Sequence, residues 1–339
     1  MNKSKKIKTI GIVFNLKSKN VTGDQHEEYD EIETILNLKN ELSKYGFKVI
    51  LLEQNSHFLN RLVKTRPDFV FNIAEGLGHG RWRESQVPAV LENLGIPYSG
   101  SDPLTMGLTL DKYLTNVILA AVGIPVPLMF MVTEEKEIAR LKNIFLRHKY
   151  YLVKPRWEGS SKGIFLNSKV NNLKDLKNRV RTVLRKYKQP ALIEEFLEKE
   201  EITVGVGGNK PPRILGMMKI VPKNIDQEHF LYSIEVKRDW QRQVQYDPEE
   251  SIPPKTRRLI KNSALAAFKA LELRDIARVD FRLDRHHTPK IIDINPLPGL
   301  SPSYSDLPIL YKLKGGTYSQ LVKIILTEAL KRYKLLWNE

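Results

Sequence analysis

The 339-residue chain is predicted to open as an α/β domain with a parallel sheet and to continue as an α+β fold built on antiparallel strands. Three observations predict this. Apolar strand-like runs alternate with an amphipathic helix over the first hundred residues, the pattern of strands joined by helical crossovers. From Glu201 onward, "EITVGVGG" and "RILGMMKIV" alternate like antiparallel neighbours. Between the two lies a link punctuated by Gly123, Pro125 and Pro127.

In order, "IKTIGIVF" predicts a strand, "YDEIETILNLKNELSKYG" an amphipathic helix ending at Gly46, and "FKVILL" and "DFVFNI" two further strands. This Rossmann-like opening domain closes near Ser101, after "LGIPYSG", and spans residues 1–101. It lacks G-x-G-x-x-G after its first strand, so a dinucleotide is not expected there. A helix over "LDKYLTNVILAAVG" follows, then "PLMFMV", a charged helix, the strand "YYLVKP", the loop "RWEGSSKG", a helix near Leu173 to Tyr187 and the strand "PALIEEFL". That unit spans 102–194. The last unit, 195–339, carries the two antiparallel strands and a long polar segment, Pro222 to Asp247, expected to be a mobile loop able to cover a site. A helix over Pro254 to Leu271, strands at "ARVDFRLD" and "PKIIDIN", and a helix from Tyr318 to about Tyr333 complete the chain.

Bulk composition bounds the function. The hydrophobic content of 41% argues for a globular chain. Lys and Arg number 55 against 39 Asp and Glu, a surplus of 16 that suits nucleic acid, an anionic membrane or small anionic substrates. The basic residues are dispersed, apart from a short cluster at Lys3, Lys5, Lys6 and Lys8 that reads as a solvated terminus, and no common nucleic-acid motif occurs. With no cysteine there are no disulfides, zinc-thiolate sites or thiol nucleophiles. "TIGIVFNL" is too short and polar-ended for a signal peptide, and Val117 to Val132 is interrupted and too short to span a bilayer. The expectation is a cytoplasmic protein with no membrane or nucleic-acid partner.

Four stretches carry chemistry. In "IIDINPLPGLSPS", Asp293 and Asn295 lie two apart on a strand, so both oxygen-bearing groups point one way. That pair suits a hard cation such as Mg²⁺, and equally suits a solvent-facing strand end. "ARVDFRLD" puts Arg278, Asp280 and Arg282 on one face of a neighbouring strand, either as a salt bridge or as a third oxygen ligand if the two strands form a hairpin. "VKPRWEGSSKG" sets Lys154 before a Gly-Ser-Ser-Lys-Gly loop, where backbone N–H groups can turn toward an anion. A flexible turn with a solvated lysine fits the same residues, and the Walker A order is absent. "IEEFLEKEEITV" ends a strand in Glu194 and Glu201, carboxylates placed for an adenine and ribose edge or for solvent.

The order of these stretches resembles the ATP-grasp superfamily, a two-lobed fold here following the Rossmann-like domain. Over nearly the full chain it resembles the D-alanine–D-alanine ligases, through "GIPYSGSDPLTMGLTLDK", "VKPRWEGSSKG", "ARVDFRLD" and "DINPLPGLSPS". The resemblance implies that Lys112 and Lys154 bind ATP phosphates and that Gly159 to Gly163, with Ser160 and Ser161, folds over them. It implies that Glu194 and Leu197 meet adenine, Glu201 the ribose, and Lys237 the phosphates from a lid. Asp280, Asp293 and Asn295 would hold two Mg²⁺ ions, with Mn²⁺ as the alternative. Asp293 stands where the ligases usually carry glutamate. Arg278 would stabilise the tetrahedral intermediate, with Ser160 and Lys237 beside it in catalysis. The implied reaction is ATP-dependent amide formation through an acyl phosphate, with small amino acids as substrates and a homodimer as the candidate assembly.

The resemblance thins on the substrate side. The ligases' serine-x-glutamate after the first strand has no matching pattern, and Glu27, Glu28, Asp30 and Glu31 read equally as helix-surface charge. Glu75 falls near the ligases' substrate-side histidine, with His79 displaced. Arg238 replaces the lid tyrosine. Gly299, Ser301, Ser303 and Tyr304 are candidate contacts to the second substrate, and Glu75, Arg81 and Arg83 either read an unusual amino acid or form surface salt bridges. The rival readings are phosphoryl transfer without amide formation and binding of nucleic acid.

Overall fold

In the computed structural model, which describes residues 6–18, 23–143 and 148–337, three sheets carry the chain. Of the short basic cluster, Lys3 and Lys5 lie outside the described residues. The first sheet is parallel, with β1 (Thr9–Phe14) between β2 (Lys48–Glu53) and β3 (Phe69–Asn72). The helix Ile32–Lys44 buries Thr34, Ile35, Leu38 and Leu42, a spacing of three to four residues that sets one apolar stripe against the sheet. It ends just before Gly46, whose φ of +83° is a left-handed conformation that glycine takes without Cβ strain.

The second sheet is antiparallel, in the order β4 (Met129–Val132), β7 (Ala191–Glu195), β5 (Tyr151–Pro155) and β6 (Lys169–Val170). The third runs β10 (Val244–Pro248), β9 (Arg213–Pro222), β8 (Glu201–Gly207), β11 (Ile276–Leu283) and β12 (Pro289–Asn295), also antiparallel. On β11, Val279, Phe281 and Leu283 face a buried cluster with Ile260, Ala264 and Phe268 of the helix Pro254–Ala270. The period of two therefore sends Arg278, Asp280 and Arg282 to the opposite side, as their alternation predicts. Burial of such residues contributes about 1.5–3 kcal/mol each.

Four eight-residue helices were not legible in the sequence: Phe58–Thr65, Gln86–Asn93, Pro103–Leu110 and Asp306–Leu313. Each is little more than two turns, too short for a helical period to stand out. The helix expected from Leu110 begins at Lys112, because the Asp111 carboxylate accepts the Leu114 N–H at 3.1 Å and caps it. The charged helix before β5 is a 3₁₀ segment, Glu135–Asn143. The helix from Leu173 is α-helical to Thr182, then widens into a π turn to Tyr187.

The structure corrects the reading of Pro222 to Asp247 as a long loop. The segment contains helices Ile234–Arg238 and Trp240–Gln243 and then pairs with β9 as strand β10. Phe230, Val236 and Val244 bury against Ile220, with Tyr232, Trp240 and Tyr246 packed around them. These apolar residues fall at irregular intervals, so no single period announces them.

Candidate active site

Strands β11 and β12 form the hairpin at the centre of the site. Asp280 lies directly opposite Asp293, and Arg278 opposite Asn295, with a register shift after Asp280. Asn295 Nδ2 donates to Asp280 Oδ2 at 3.2 Å, so all three oxygen-bearing groups share one side of the sheet. Both carboxylates have cationic partners: Lys112 Nζ lies 2.8 Å from Asp293 Oδ1, and Arg278 Nη2 lies 2.9 Å from Asp280 Oδ2. Burial disfavours charge on Asp293, but Lys112 and Lys154 outweigh it and hold the carboxyl below its usual range. Arg278 is also held by Asp306, 3.4 Å from its Nη1. No group of three or more His, Asp or Glu side chains able to hold a metal occurs among the described residues. Two carboxylates and an amide nevertheless fit a hard cation that takes its remaining ligands from phosphate and water.

Lys154 lies within β5, and the Gly-Ser loop follows the end of that strand. Ser160 and Ser161 have φ of +46° and +57°, and Gly163 +75°, a run of left-handed backbone within the loop. Lys162 is not solvated: it is buried, 2.8 Å from Glu158 Oε2. The loop is anchored from the N-terminal domain, since Glu28 Oε1 accepts the Gly159 N–H at 2.5 Å and Asp24 Oδ2 the Gly163 N–H at 3.1 Å. A Cβ at Gly159 would sit 2.9 Å from Glu28 Oε1, so a side chain there would displace the anchor.

Two adjoining cavities meet at this hairpin. The smaller, of about 90 Å³, is walled by Lys154, Glu194, Phe196, Leu197, Glu201 and Ile292, with Ser161 and Asp280 at its inner end. Lys154 Nζ lies 2.9 Å from Glu194 Oε2, and Arg282 Nη1 lies 3.3 Å from Glu201 Oε2. Burial raises both carboxyls, Glu201 to about 7, even though each has a cationic neighbour. Lys237 reaches this cavity from the segment after β9, and burial beside Arg278 pushes its ammonium down.

The larger cavity, of about 400 Å³, opens between the N-terminal domain and the hairpin. Glu75, Gly299 and Tyr304 line it, whereas Ser301 and Ser303 do not. Ser301 is buried and accepts no role there: its N–H donates to Ser305 Oγ at 3.0 Å, and its hydroxyl meets that of exposed Ser303 at 3.0 Å. The turn after Gly299 instead presents Ser305 and Asp306 to the cavity. Arg81 is exposed, but Arg83 is 2% exposed and no surface residue. Its guanidinium bonds Glu28 at 2.5 Å and the Trp157 carbonyl at 2.6 Å.

Of the acidic wall, sequence reasoning named Glu75 and left Glu27, Glu28, Asp30 and Glu31 open, and it did not name Glu84. Glu27, Glu28, Asp30 and Glu31 all line the cavity, as does Glu84. Burial pushes the Asp30 carboxyl up to about 7 and the Glu84 carboxyl up to about 8. Glu75 is raised by burial and by the neighbouring charges of Glu84 and Glu28. The available signal was acidic density in "GDQHEEYDEIE", but density alone cannot distinguish a cavity wall from a helix surface. Arg238 extends from the segment after β9 to Glu27 Oε1 at 2.5 Å and the Gly23 carbonyl at 2.6 Å, closing the mouth.

Residues 118–327 match the family model described as D-ala D-ala ligase C-terminus. An uncharacterized protein of Sinorhizobium fredii is 34% identical over 303 residues, covering 86% of this chain and 86% of that one. A D-alanine–D-alanine ligase of Carboxydothermus hydrogenoformans is 31% identical over 299 residues, covering 84% of this chain and 88% of its own. The crystal structure of D-alanine–D-alanine ligase from Bacillus anthracis complexed with ATP matches with a TM-score of 0.74 at 23% identity, over 96% of this chain and 99% of that one, a likeness of fold.

Proposed function

The chain belongs to the D-alanine–D-alanine ligase family of ATP-dependent, ADP-forming C–N ligases, and from that premise we propose that it joins two amino acids through an acyl phosphate. One observation carries the reading: the two cavities share Lys112, Ser160, Lys237 and Arg278 as a common wall. A nucleotide in the smaller would face an amino-acid carboxylate in the larger across a strip of positive charge. A carboxylate oxygen then attacks the γ-phosphorus and ADP leaves. The amine of the second amino acid attacks the acyl carbon, phosphate departs, and the amine loses a proton.

Lys112, Lys154 and Lys237 receive the phosphates, and the Gly159–Gly163 loop covers them with backbone N–H groups and the hydroxyls of Ser160 and Ser161. Glu194 and Leu197 border adenine and Glu201 the ribose. Asp280, Asp293 and Asn295 would hold two Mg²⁺ ions, or Mn²⁺, which would supply positive charge against the phosphate oxygens. Arg278, fixed between Asp280 and Asp306, faces the charge that develops on the tetrahedral carbon's oxygen. The segment 222–247 acts as the lid, with Arg238 bonded across the cavity mouth, and its closure keeps water from the acyl phosphate.

D-alanine is the reference substrate, and a dipeptide for peptidoglycan, a cytoplasmic location and a homodimeric assembly complete the reading. No helix of the described residues is long and apolar enough to cross a membrane. A different amino-acid pair, joined by the same chemistry, is the second reading, favoured by the unpaired acids Asp30, Glu75 and Glu84. ADP release with Mg·ATP, measured against single D- and L-amino acids and pairs with products weighed by mass spectrometry, tests the proposal. An amide product supports it; a stable phosphorylated product formed without any amine would replace it with phosphoryl transfer.

A further inference from the structure

The larger cavity carries more negative charge than its neighbours neutralise. Glu27 is paired with Arg238, and Glu28 with Arg83. Glu84 is 6% exposed, lines the cavity, and has no ion-pair or hydrogen-bond partner for its carboxylate among the described residues. Asp30 and Glu75 line the same wall, also without a cationic partner within ion-pair distance among the described residues. A buried carboxylate without a partner is costly to fold around and calls for a ligand that compensates it.

The three acids are spread along the cavity. Glu84 lies just before the helix Gln86–Asn93, where the charges of Arg83 and Lys112 reach it. Asp30 lies beside the end of β1, its N–H donating to the Asn15 carbonyl, and its charge reaches Tyr304 and Tyr318. Glu75 lies between and feels both Glu84 and Asp30. The guanidinium of Arg238 on Glu27 shows that a cation is accepted at the mouth of the same wall. An amino acid whose carboxylate faces Lys112 and Ser160 would set its α-ammonium against Glu84 and Glu75, leaving Asp30 for whatever lies at the end of its side chain. A volume of about 400 Å³ leaves room beyond a methyl group.

We propose that the amino acid activated in this cavity is a diamino acid, with its α-ammonium held by Glu84 and Glu75 and its side-chain ammonium held by Asp30. The proposal rests on the ligase reading and specifies its first substrate. Burial raises both the Asp30 and the Glu84 carboxyls, so a bound diammonium would take the place of protons that the wall otherwise holds.

The test is steady-state ADP release with Mg·ATP for alanine, glutamate, lysine and 2,4-diaminobutyrate in both configurations, each alone and with a second amino acid, on the wild type, Asp30→Asn and Glu84→Gln. The expected result is a kcat/KM for one diamino acid at least about tenfold above that for alanine. Asp30→Asn should raise the KM for that diamino acid about tenfold and leave the KM for alanine and for ATP unmoved. Both substitutions conserve shape and remove an unpaired charge, so each variant should unfold at or above the wild-type temperature. Preference for alanine or glutamate, or a diamino-acid KM unaffected by Asp30→Asn, would overturn the inference and leave the ligase reading standing. If no amino acid stimulates ADP release, the ligase reading fails separately, and calorimetric titration of lysine and diaminobutyrate into the wild type and Asp30→Asn decides the inference. Binding weakened by the substitution sustains it, and no binding to the wild type overturns it.

Discussion

The two cavities treat buried acid in opposite ways. In the smaller, every carboxylate that matters has a basic partner: Glu194 has Lys154, Glu201 has Arg282, and at the shared edge Asp293 has Lys112 and Asp280 has Arg278. In the larger, Asp30, Glu75 and Glu84 line the space without a direct ion pair among the described residues, and only the more distant charges of Arg83 and Lys112 reach Glu84. A paired site is held in place before its ligand arrives, because removing either partner strands the other in a poor solvent for charge. An unpaired site leaves its charge to be satisfied by what it binds. On the proposed function, the contrast would separate machinery for a fixed ligand, the nucleotide, from machinery for a variable one.

The sharpest break in this contrast is expected at the hairpin. Asp293→Asn keeps the shape of the strand end but removes a metal-facing charge and frees Lys112. Turnover at ordinary Mg²⁺ should fall by about 10²–10³-fold while circular dichroism stays that of the native fold. Near-normal turnover would sink the metal assignment. Next in size is Lys154→Met, which leaves the Glu194 carboxylate buried and unpaired. Stability should drop by about 3 kcal/mol in chemical denaturation, and the KM for ATP should rise by more than the KM for the amino acid. An equal loss on both KM values would argue that Lys154 serves the fold alone.

How much was legible follows the same divide. Asp280, Asp293, Asn295 and Lys154 were readable because strand period and loop composition are local, and the hairpin register sets Asp280 opposite Asp293 as the spacing suggested. Glu75 was named and Asp30 left open, but their assembly with Glu84 into one wall was not readable, because the three come from separate segments that only the tertiary fold brings together. Arg83 shows the same limit from the other side. A run such as "GRWRESQ" reads as surface charge, yet Arg83 is buried against Glu28 and ties the N-terminal domain to the Gly-Ser loop through the Trp157 carbonyl. Ser301 and Ser303 were plausible by composition, but the turn uses Ser305 to fasten its own backbone and directs the cavity side to Ser305 and Asp306.

A smaller effect is expected from the unpaired acids. The Glu84 carboxyl is pushed up to about 8 in the folded chain from an ordinary value of 4.5. The folded state therefore holds a proton that the unfolded chain has released, and the stability this contributes is full below about pH 4.5 and is lost as pH rises toward 8. Asp30, pushed up to about 7, adds a loss in the same direction that is complete by about pH 7. Glu84→Gln should flatten that decline and raise stability at pH 8 by about 1–3 kcal/mol, read as a higher unfolding midpoint. A variant that is less stable than the wild type at pH 8 would mean that Glu84 has a cationic partner after all.

The smallest effect belongs to Arg238, whose bond to Glu27 spans the cavity mouth from an exposed position. A half-solvated pair of this kind contributes about 0–1 kcal/mol to stability, so Arg238→Ala should leave the unfolding midpoint almost unchanged. Its consequence should be kinetic. Losing the latch releases Glu27 and shifts the lid toward the open state, which admits water to the acyl phosphate. ADP release in the absence of the second amino acid should then rise about two- to fivefold relative to amide formation. Tight coupling of ADP release to amide in the variant would show that the lid closes through Phe230, Val236 and Val244 alone, the apolar cluster that fixes the segment to β9.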